Sequence, residues 1–493
     1  RLIAKHAEED RRIRTVFRAE NGHICRASNS ALELATGGFV ALLDHDDLLA
    51  PHALLCVAEA IGANRDAALI YSDEDKITPD GRRHDPYFKC RFNRELLRGQ
   101  NMISHLGVYR RDLVTAAGGF REGFEGSQDW DLALRVVEAA DGQGIIHIPA
   151  ILYHWRASPG STALAPTEKD YAAGAGRRAV REHLGRGGID AMVEPAPGNP
   201  SFNRIRYARP DPAPPVTIII PTRDRIDVLR RCLDSITRLT TYPDYDIMIV
   251  DNGSTGPSSR ACLDALPPDR FTVLRHEGPF NFSRLNNLAA ARAKGELLCL
   301  LNNDTEVLTP AWLEEMVSLA VQPGVGAVGA RLWYPGGGLQ HGGVILGLGG
   351  GAADHAHRHL RRGEPGYFGR GILAQEFSAV TAACLVVRRS LYLDQGGLDE
   401  QLAVACNDVD FCLRLAQAGL RNIWTPHAEL VHHESLSRGR DDAAPRFTAS
   451  ALEQGLMKVR WGGLISDDPF YSPNLTLRGN GFRPARTPRI PQP

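Results

Sequence analysis

The sequence lacks the features that place a chain outside the ordinary globular class. Its nine cysteines are scattered and none forms a CxxC pair, so no disulfide framework can be read from them. Cys299 and Cys384 sit in apolar runs and read as buried thiols, which suits a reducing cytosol. No run approaches the roughly 18 apolar residues that span a bilayer, and no signal peptide opens the chain. Membrane contact is therefore expected to be peripheral, at the inner face of the cell membrane. Charge of one sign is lacking too. Lys and Arg number 57 against 58 Asp and Glu, a net charge of −1, which speaks against a nucleic-acid binder.

What is present is a globular composition and a repeat. The chain has 493 residues, 43% of them hydrophobic, enough for two domains. Two buried-looking runs end in polar clusters, "ALLDHDDLLAP" and "LLNNDTEVLTP". Asp46 and Asp304 are 304 − 46 = 258 positions apart. At that offset Asn29 falls on Asn287 and Gly37 on Gly295, and "NSALELATGGFVALLDHDD" falls on "NNLAAARAKGELLCLLNNDT". Each reads as a helix, a glycine stop, a strand and a polar tip. With small gaps the match resumes: "GSQDWDLALRV" on "ACNDVDFCLRL" pairs Asp129 with Asp408, and "AILYHWR" on "AELVHHES" pairs His154 with His432.

Between the copies, residues 194–215 carry seven prolines in 22 residues, which predicts a linker without regular structure. The domains are then 1–193, 216–465 and a basic, partly disordered tail, 466–493. The second copy opens with "VTIIIPTRDR", a helix, and "YDIMIVDNGST". Strand, helix, strand argues for a Rossmann-like, mostly parallel α/β sheet whose ligands bind at the carboxyl ends of the strands. Asp224, Asp251 and Asp304 all lie there. The first copy begins beyond this opening and lacks its first two strands.

Several residues carry chemistry. A D-x-D at a strand end offers two carboxylates to a hard cation, Mg²⁺ or Mn²⁺, so Asp44 and Asp46 are candidate ligands, with Asp47 capping the next helix. In the second copy Asn302 replaces the first carboxylate and Asp304 keeps one. Asp129 and Asp408 each precede an amphipathic helix and suit a general base, or a helix cap. His154 and His432 end short strands and are candidate metal or phosphate ligands. Asp73, Glu74 and Asp75 read as a solvated acidic loop or a contact with an acceptor, rather than as metal ligands. "GLGGGA" (347–352) has no helical stripe after it and is not a dinucleotide fingerprint; His355, His357 and His359 could line a phosphate or metal, but read more plainly as part of a polar loop.

"PTRDR", "VDNGST", "GPFNFSRLNN", "LLNNDTEV", "NDVDFCLRL", "TPHAELVHHESLSRGRDD", "LLDHDDLL", "EGSQDWDLALR" and "LYHWR" together resemble tandem family 2 glycosyltransferase domains of the GT-A fold. They are similar to bacterial enzymes of O-antigen or rhamnan-type polysaccharide assembly, over the chain up to about residue 465. The resemblance implies metal-dependent, inverting transfer from a nucleotide sugar, with rhamnose the leading donor sugar, to a glycan or lipid-linked glycan. It implies that Asp224 and Asp251 hold the base and ribose, that Asn302 and Asn287 join the donor site, and that Asp304 and His432 meet the metal and diphosphate. Asp408 would be the base. In the first copy Asp44, Asp46 and His154 would be metal ligands and Asp129 the base. Two other classes stay open: a nucleotidyltransferase on a similar sheet, and a non-catalytic glycan-binding scaffold.

Overall fold

The computed structural model describes residues 2–157, 170–434 and 444–490. The chain divides into two compact units, Arg1–Ile205 and Arg206–Pro493.

The first unit is built on β1 (Phe39–Ala41), β2 (Leu48–Leu49), β3 (Leu69–Ile77), β4 (Arg83–Tyr87), β5 (Gly107–Arg110) and β6 (Ile145–Arg156). Their order is β1-β5-β3-β6-β2, with β4 beside β3. Only β3 and β6 run parallel. "YSDEDKI" is not a solvated loop. It forms most of β3, and Asp73, Glu74 and Asp75 are buried. Each acid is matched by a cation or ring: Asp73 by His147 (2.8 Å), Glu74 by the Lys89 ammonium (3.2 Å), Asp75 by His154 and Arg83 (2.5 Å each). Partners this far away in sequence make the burial of three acids tolerable.

The proline-rich stretch also differs from expectation. A hairpin of β7 (Ala191–Ala196) and β8 (Asn199–Tyr207) enters it. Pro197 and Gly198 supply the turn, Gly198 at φ 80°, where a side chain is disfavoured. A two-stranded hairpin has two open edges, where a proline costs no ladder bond.

The second unit contains β9 (Val216–Thr222), β10 (Tyr245–Asp251), β11 (Phe271–Arg275), β12 (Leu297–Leu301), β13 (Thr305–Val307), β14 (Val325–Trp333) and β15 (Leu339–His341). Then come β16 (Val344–Leu346), β17 (Ala353–His355), β18 (Gln375–Phe377), β19 (Cys384–Arg388) and β20 (Arg421–His432). The main order is β11-β10-β9-β12-β19-β14-β20-β13. The first four strands are parallel, and β9 and β12 are buried along their whole length, as their aliphatic sequences demand. The helix Ile226–Leu239 crosses from β9 to β10 and buries Val228, Leu229, Cys232, Leu233 and Ile236 on one face.

The last five strands, β12-β19-β14-β20-β13, repeat the order and the directions of β1-β5-β3-β6-β2. Side chains repeat as well. Arg135 binds Asp131 and the carbonyls of Ala117 and Gly119; Arg414 binds Asp410 and the carbonyls of Gln395 and Gly397. Asn29 brackets the backbone N–H and C=O of Phe120; Asn287 brackets those of Leu398. The chain is thus two copies of one core, and β9, β10 and β11 have no counterpart among the described residues of the first.

The tail is not loose. Tyr471 and Leu475 are buried, and Asp468 accepts from Leu346 N (2.7 Å), Ser378 Oγ (2.8 Å) and Phe470 N (2.8 Å). It straps the hairpin β16–β17, whose turn is the glycine run 347–351. No helix follows that run, so it is a turn and not a nucleotide loop. No helix among the described residues is long and apolar enough to cross a membrane.

Candidate active site

In the second unit the polar strand tips gather at one edge of the sheet. β9, β10 and β12 are parallel neighbours, so their carboxyl ends meet, and β14 and β20 run the same way. Asp224 Oδ1 accepts from Thr255 N (3.0 Å) and Gly256 N (2.9 Å), and Asp251 Oδ1 from Ser254 N (3.0 Å). These bonds close the loop after β10 over the end of β9. Asn303 ties β12 to β9 through Thr222 Oγ1 (3.0 Å).

At the end of β12, Asn302 and Asp304 meet His432, which closes β20. His432 Nε2 lies 3.2 Å from Asp304 Oδ1 and 3.3 Å from the Asn302 amide nitrogen. The ring is held from behind. Gln340 donates from Nε2 to Glu434 (3.0 Å), so its oxygen faces His432 Nδ1 at 2.8 Å. A carbonyl oxygen only accepts, so Nδ1 carries the ring proton. In the neutral ring Nε2 then presents a lone pair toward a carboxylate. Two acceptors that close repel unless a proton or cation joins them, so the donor set fits a divalent cation with oxygen and imidazole ligands.

Asp408 is in the first turn of the helix Asn407–Gln417 and is not its cap. Its Oδ2 accepts from Ala382 N (2.9 Å) and its Oδ1 from Val409 N (2.8 Å), which leaves lone pairs on both oxygens. It lines a cavity of about 240 Å³ together with Asn302, His355, Phe282 and Thr381. Asn302, which touches His432, thus lines the same cavity as the carboxylate.

Glycosyl transferase family 2 matches residues 1–116 and 217–392, more than half of the chain. The chain belongs to glycosyl transferase family 2.

Relatives agree with this membership. An "Uncharacterized protein y4gI" of Sinorhizobium fredii is 48% identical over 98% of this chain and 53% of its own length. The "O-antigen biosynthesis protein RfbC" of Myxococcus xanthus is 40% identical over 97% of this chain and 37% of its own. The "N-acetylglucosaminyl-diphospho-decaprenol L-rhamnosyltransferase" of Mycobacterium tuberculosis is 42% identical over 65 residues, 13% of this chain and 21% of its own. The chain spans about half or less of the length of these relatives. One matched segment falls in each of the two units, so the chain carries two family 2 units in tandem.

In the first family 2 unit the structure regroups the expected residues. Ligand atoms of Asp44, Asp47 and His105 lie within 4.8 Å of one another. Asp46 is exposed, near His45 (3.8 Å), and outside this group. Asp47 does not cap a helix; it accepts from Tyr153 OH (2.5 Å) and Arg156 N (2.7 Å). A turn in which Asp47 N donates to Asp44 O (3.3 Å) brings the two acids together, a signal that "DHDD" already carried. His105 arrives from a distant loop and stacks on Tyr153 at 4.5 Å. No spacing motif announces it. His154 is turned to Asp75 instead. Burial raises the Asp129 carboxyl above the usual range, against the pull of His105 and a hydrogen bond from Asn101 (2.7 Å).

Asn287 is the expected donor-site residue that the structure employs elsewhere. Its amide is consumed by Leu398 and by the Tyr392 hydroxyl (2.7 Å), clamping a helix to a loop. The sequence missed Gln340 and His341, and read His355 as part of a polar loop. The motif residues 435–442 lie outside the described residues.

Proposed function

We propose that the second unit transfers a glycosyl group from a nucleotide sugar to a hydroxyl of a glycan or lipid-linked glycan, with inversion at the anomeric carbon. The observation that carries this is the shared space. Asn302, which touches the Asp304–His432 pair, lines the same cavity as the separate carboxylate of Asp408. Asp224 and Asp251, each with Oδ2 unpaired among the described residues, would take the base and ribose hydroxyls. Asp304 and His432, with Asn302 beside them, would hold Mg²⁺ or Mn²⁺, which supplies positive charge to the departing diphosphate. Asp408 would accept the proton of the attacking hydroxyl.

The polysaccharide context follows the O-antigen relative, and rhamnose follows the rhamnosyltransferase, so dTDP-rhamnose is the first donor to try. A lipid-linked acceptor would bring the protein to the inner face of the membrane. The test is a panel of dTDP-, UDP- and GDP-sugars read by thermal stabilisation with and without Mn²⁺. A bound donor at 100 times its Kd adds about 2.7 kcal/mol. Asp304→Ala should remove the Mn²⁺-dependent shift and the transfer, and Asn302→Ala should weaken both less. Wild-type turnover in Asp304→Ala would reject the site.

A further inference from the structure

The cavity beside Asp408 holds a histidine that the mechanism above does not use. His355 ends β17 and lines that cavity. Behind it is His341, the last residue of β15, fully buried. The two rings meet edge to face, Nδ1 to Nδ1, at 2.9 Å. Both nitrogens cannot donate and both cannot accept, so one carries the proton.

The backbone decides which. Thr381 N points at His341 Nε2 (3.4 Å), and a backbone N–H can only donate. His341 Nε2 is therefore the acceptor, and in the neutral ring its proton sits on Nδ1. His341 then donates to His355 Nδ1, which leaves the His355 proton on Nε2. That nitrogen is on the edge of the ring away from His341 and has no partner among the described residues. Burial pushes both rings toward the neutral form, and the neighbouring ring adds to this at His341, so neither readily takes a second proton that would break the chain.

We propose that His341 locks His355 as a neutral Nε2–H donor in the Asp408 cavity, where it binds an oxygen of the acceptor monosaccharide and selects which hydroxyl faces Asp408. The assignment to an acceptor sugar depends on the glycosyltransferase reading. The cavity, about 240 Å³, falls below the roughly 300 Å³ at which pockets begin to hold drug-sized ligands, and so suits one sugar ring. Two of its polar groups divide by role: Asp408 only accepts, and His355 donates from Nε2. A sugar ring offers a hydroxyl for the first and a neighbouring oxygen for the second. A half-buried donor with a dedicated partner discriminates, because a sugar without the matching oxygen leaves it unpaired in the filled site. His355 would be a specificity residue, and His341 a positioning residue that acts through it.

Two measurements on the full chain test this. Nitrogen NMR of ¹⁵N-histidine protein at pH 7, assigned with His341→Phe and His355→Phe, should show His341 protonated at Nδ1 and His355 at Nε2. A His355 ring protonated at Nδ1 overturns the proposal. Next, a panel of p-nitrophenyl glycosides is tested for binding by saturation-transfer NMR and for use as acceptors with the nucleotide-sugar panel. His355→Phe should weaken glycoside binding, or raise the acceptor KM, at least 10-fold without changing the donor KM. His355→Gln, whose amide nitrogen reaches the same place, should restore most of it. His341→Phe should mimic the loss, and His341→Asn should rescue it. Glycosides that fail to bind the wild type, binding indifferent to His355, or a change in donor KM alone would each overturn it. Glycoside binding that depends on His355 in a protein that turns over no nucleotide sugar would keep the site and reject the enzyme reading instead.

Discussion

At the scale of single residues, Asp408 and Asn287 separate chemistry from architecture. Asp408 accepts one backbone hydrogen bond on each oxygen. Asn keeps the shape but sets its NH₂ against one of those N–H groups, so Asp408→Asn should cost about 1 kcal/mol of stability. It removes the basicity entirely. Transfer should fall roughly 10²–10⁴-fold while donor binding holds, measured as kcat against Kd. Unimpaired turnover in the folded variant would leave Asp408 as a helix-end acid only. Asn287→Ala should do the reverse. It orphans the N–H and C=O of Leu398, costing about 1–3 kcal/mol for each group left buried and unpaired, and should leave nucleotide affinity unchanged. Gly397 belongs to the same clamp: at φ 68° its missing Cβ would sit 2.3 Å from Asn287 Oδ1, so only glycine lets the loop close.

At the scale of elements, the tail and the β16–β17 hairpin form one assembly that presents His355. His357, two residues further on, stacks on Phe482 of the tail at 4.0 Å. Its Nε2 is buried and unpaired among the described residues, and burial, with the charges of Arg370 and Arg331, pushes its pKa from 6.5 down to about 3. The unfolded chain takes up this proton below pH 6.5, whereas the folded one does not until about pH 3. Stability is therefore full above 6.5 and declines as pH falls through that window. The melting temperature of the wild type should drop between pH 7 and pH 4, and His357→Phe, which keeps the stack and deletes the proton site, should flatten that drop. Parallel curves for the two proteins would exonerate His357.

At the scale of the whole molecule, two copies of one core differ in the described strands beside them. Among the described residues, only the second has β9, β10 and β11 beside its first repeated strand; Asp224 follows β9 and Asp251 ends β10. Titration calorimetry with UDP or dTDP and Mn²⁺ should therefore find one nucleotide site per chain. Asp129→Asn should leave the transfer of this chain near wild type. Two equivalent sites, or activity lost with Asp129, would contradict this division of labour.

The sequence by itself determined the duplication, the two-unit division and the identity of the strands whose tips are polar. Those features are local: an aliphatic run such as "VTIII" or "LLCLL" is buried whatever surrounds it, and a helix with one apolar stripe needs no distant partner to be recognised. Even the hairpin at Pro197 and Gly198 was legible as a turn, although counting prolines hid it. What only the tertiary structure decided is which polar groups meet. Asn302 and His432 are 130 positions apart and touch because β13 and β20 pair in one register, with Thr305 opposite His432. His105 joins Asp44 and Asp47, Asp46 turns away, and Asp73–Asp75 go inside, because each acid finds its partner on another strand or loop. Periodicity reports how a residue relates to its neighbours along the chain. The tautomers of His432 and His355 depend on Gln340, His341 and Thr381, and only the register of paired strands and the loops they carry could place those groups.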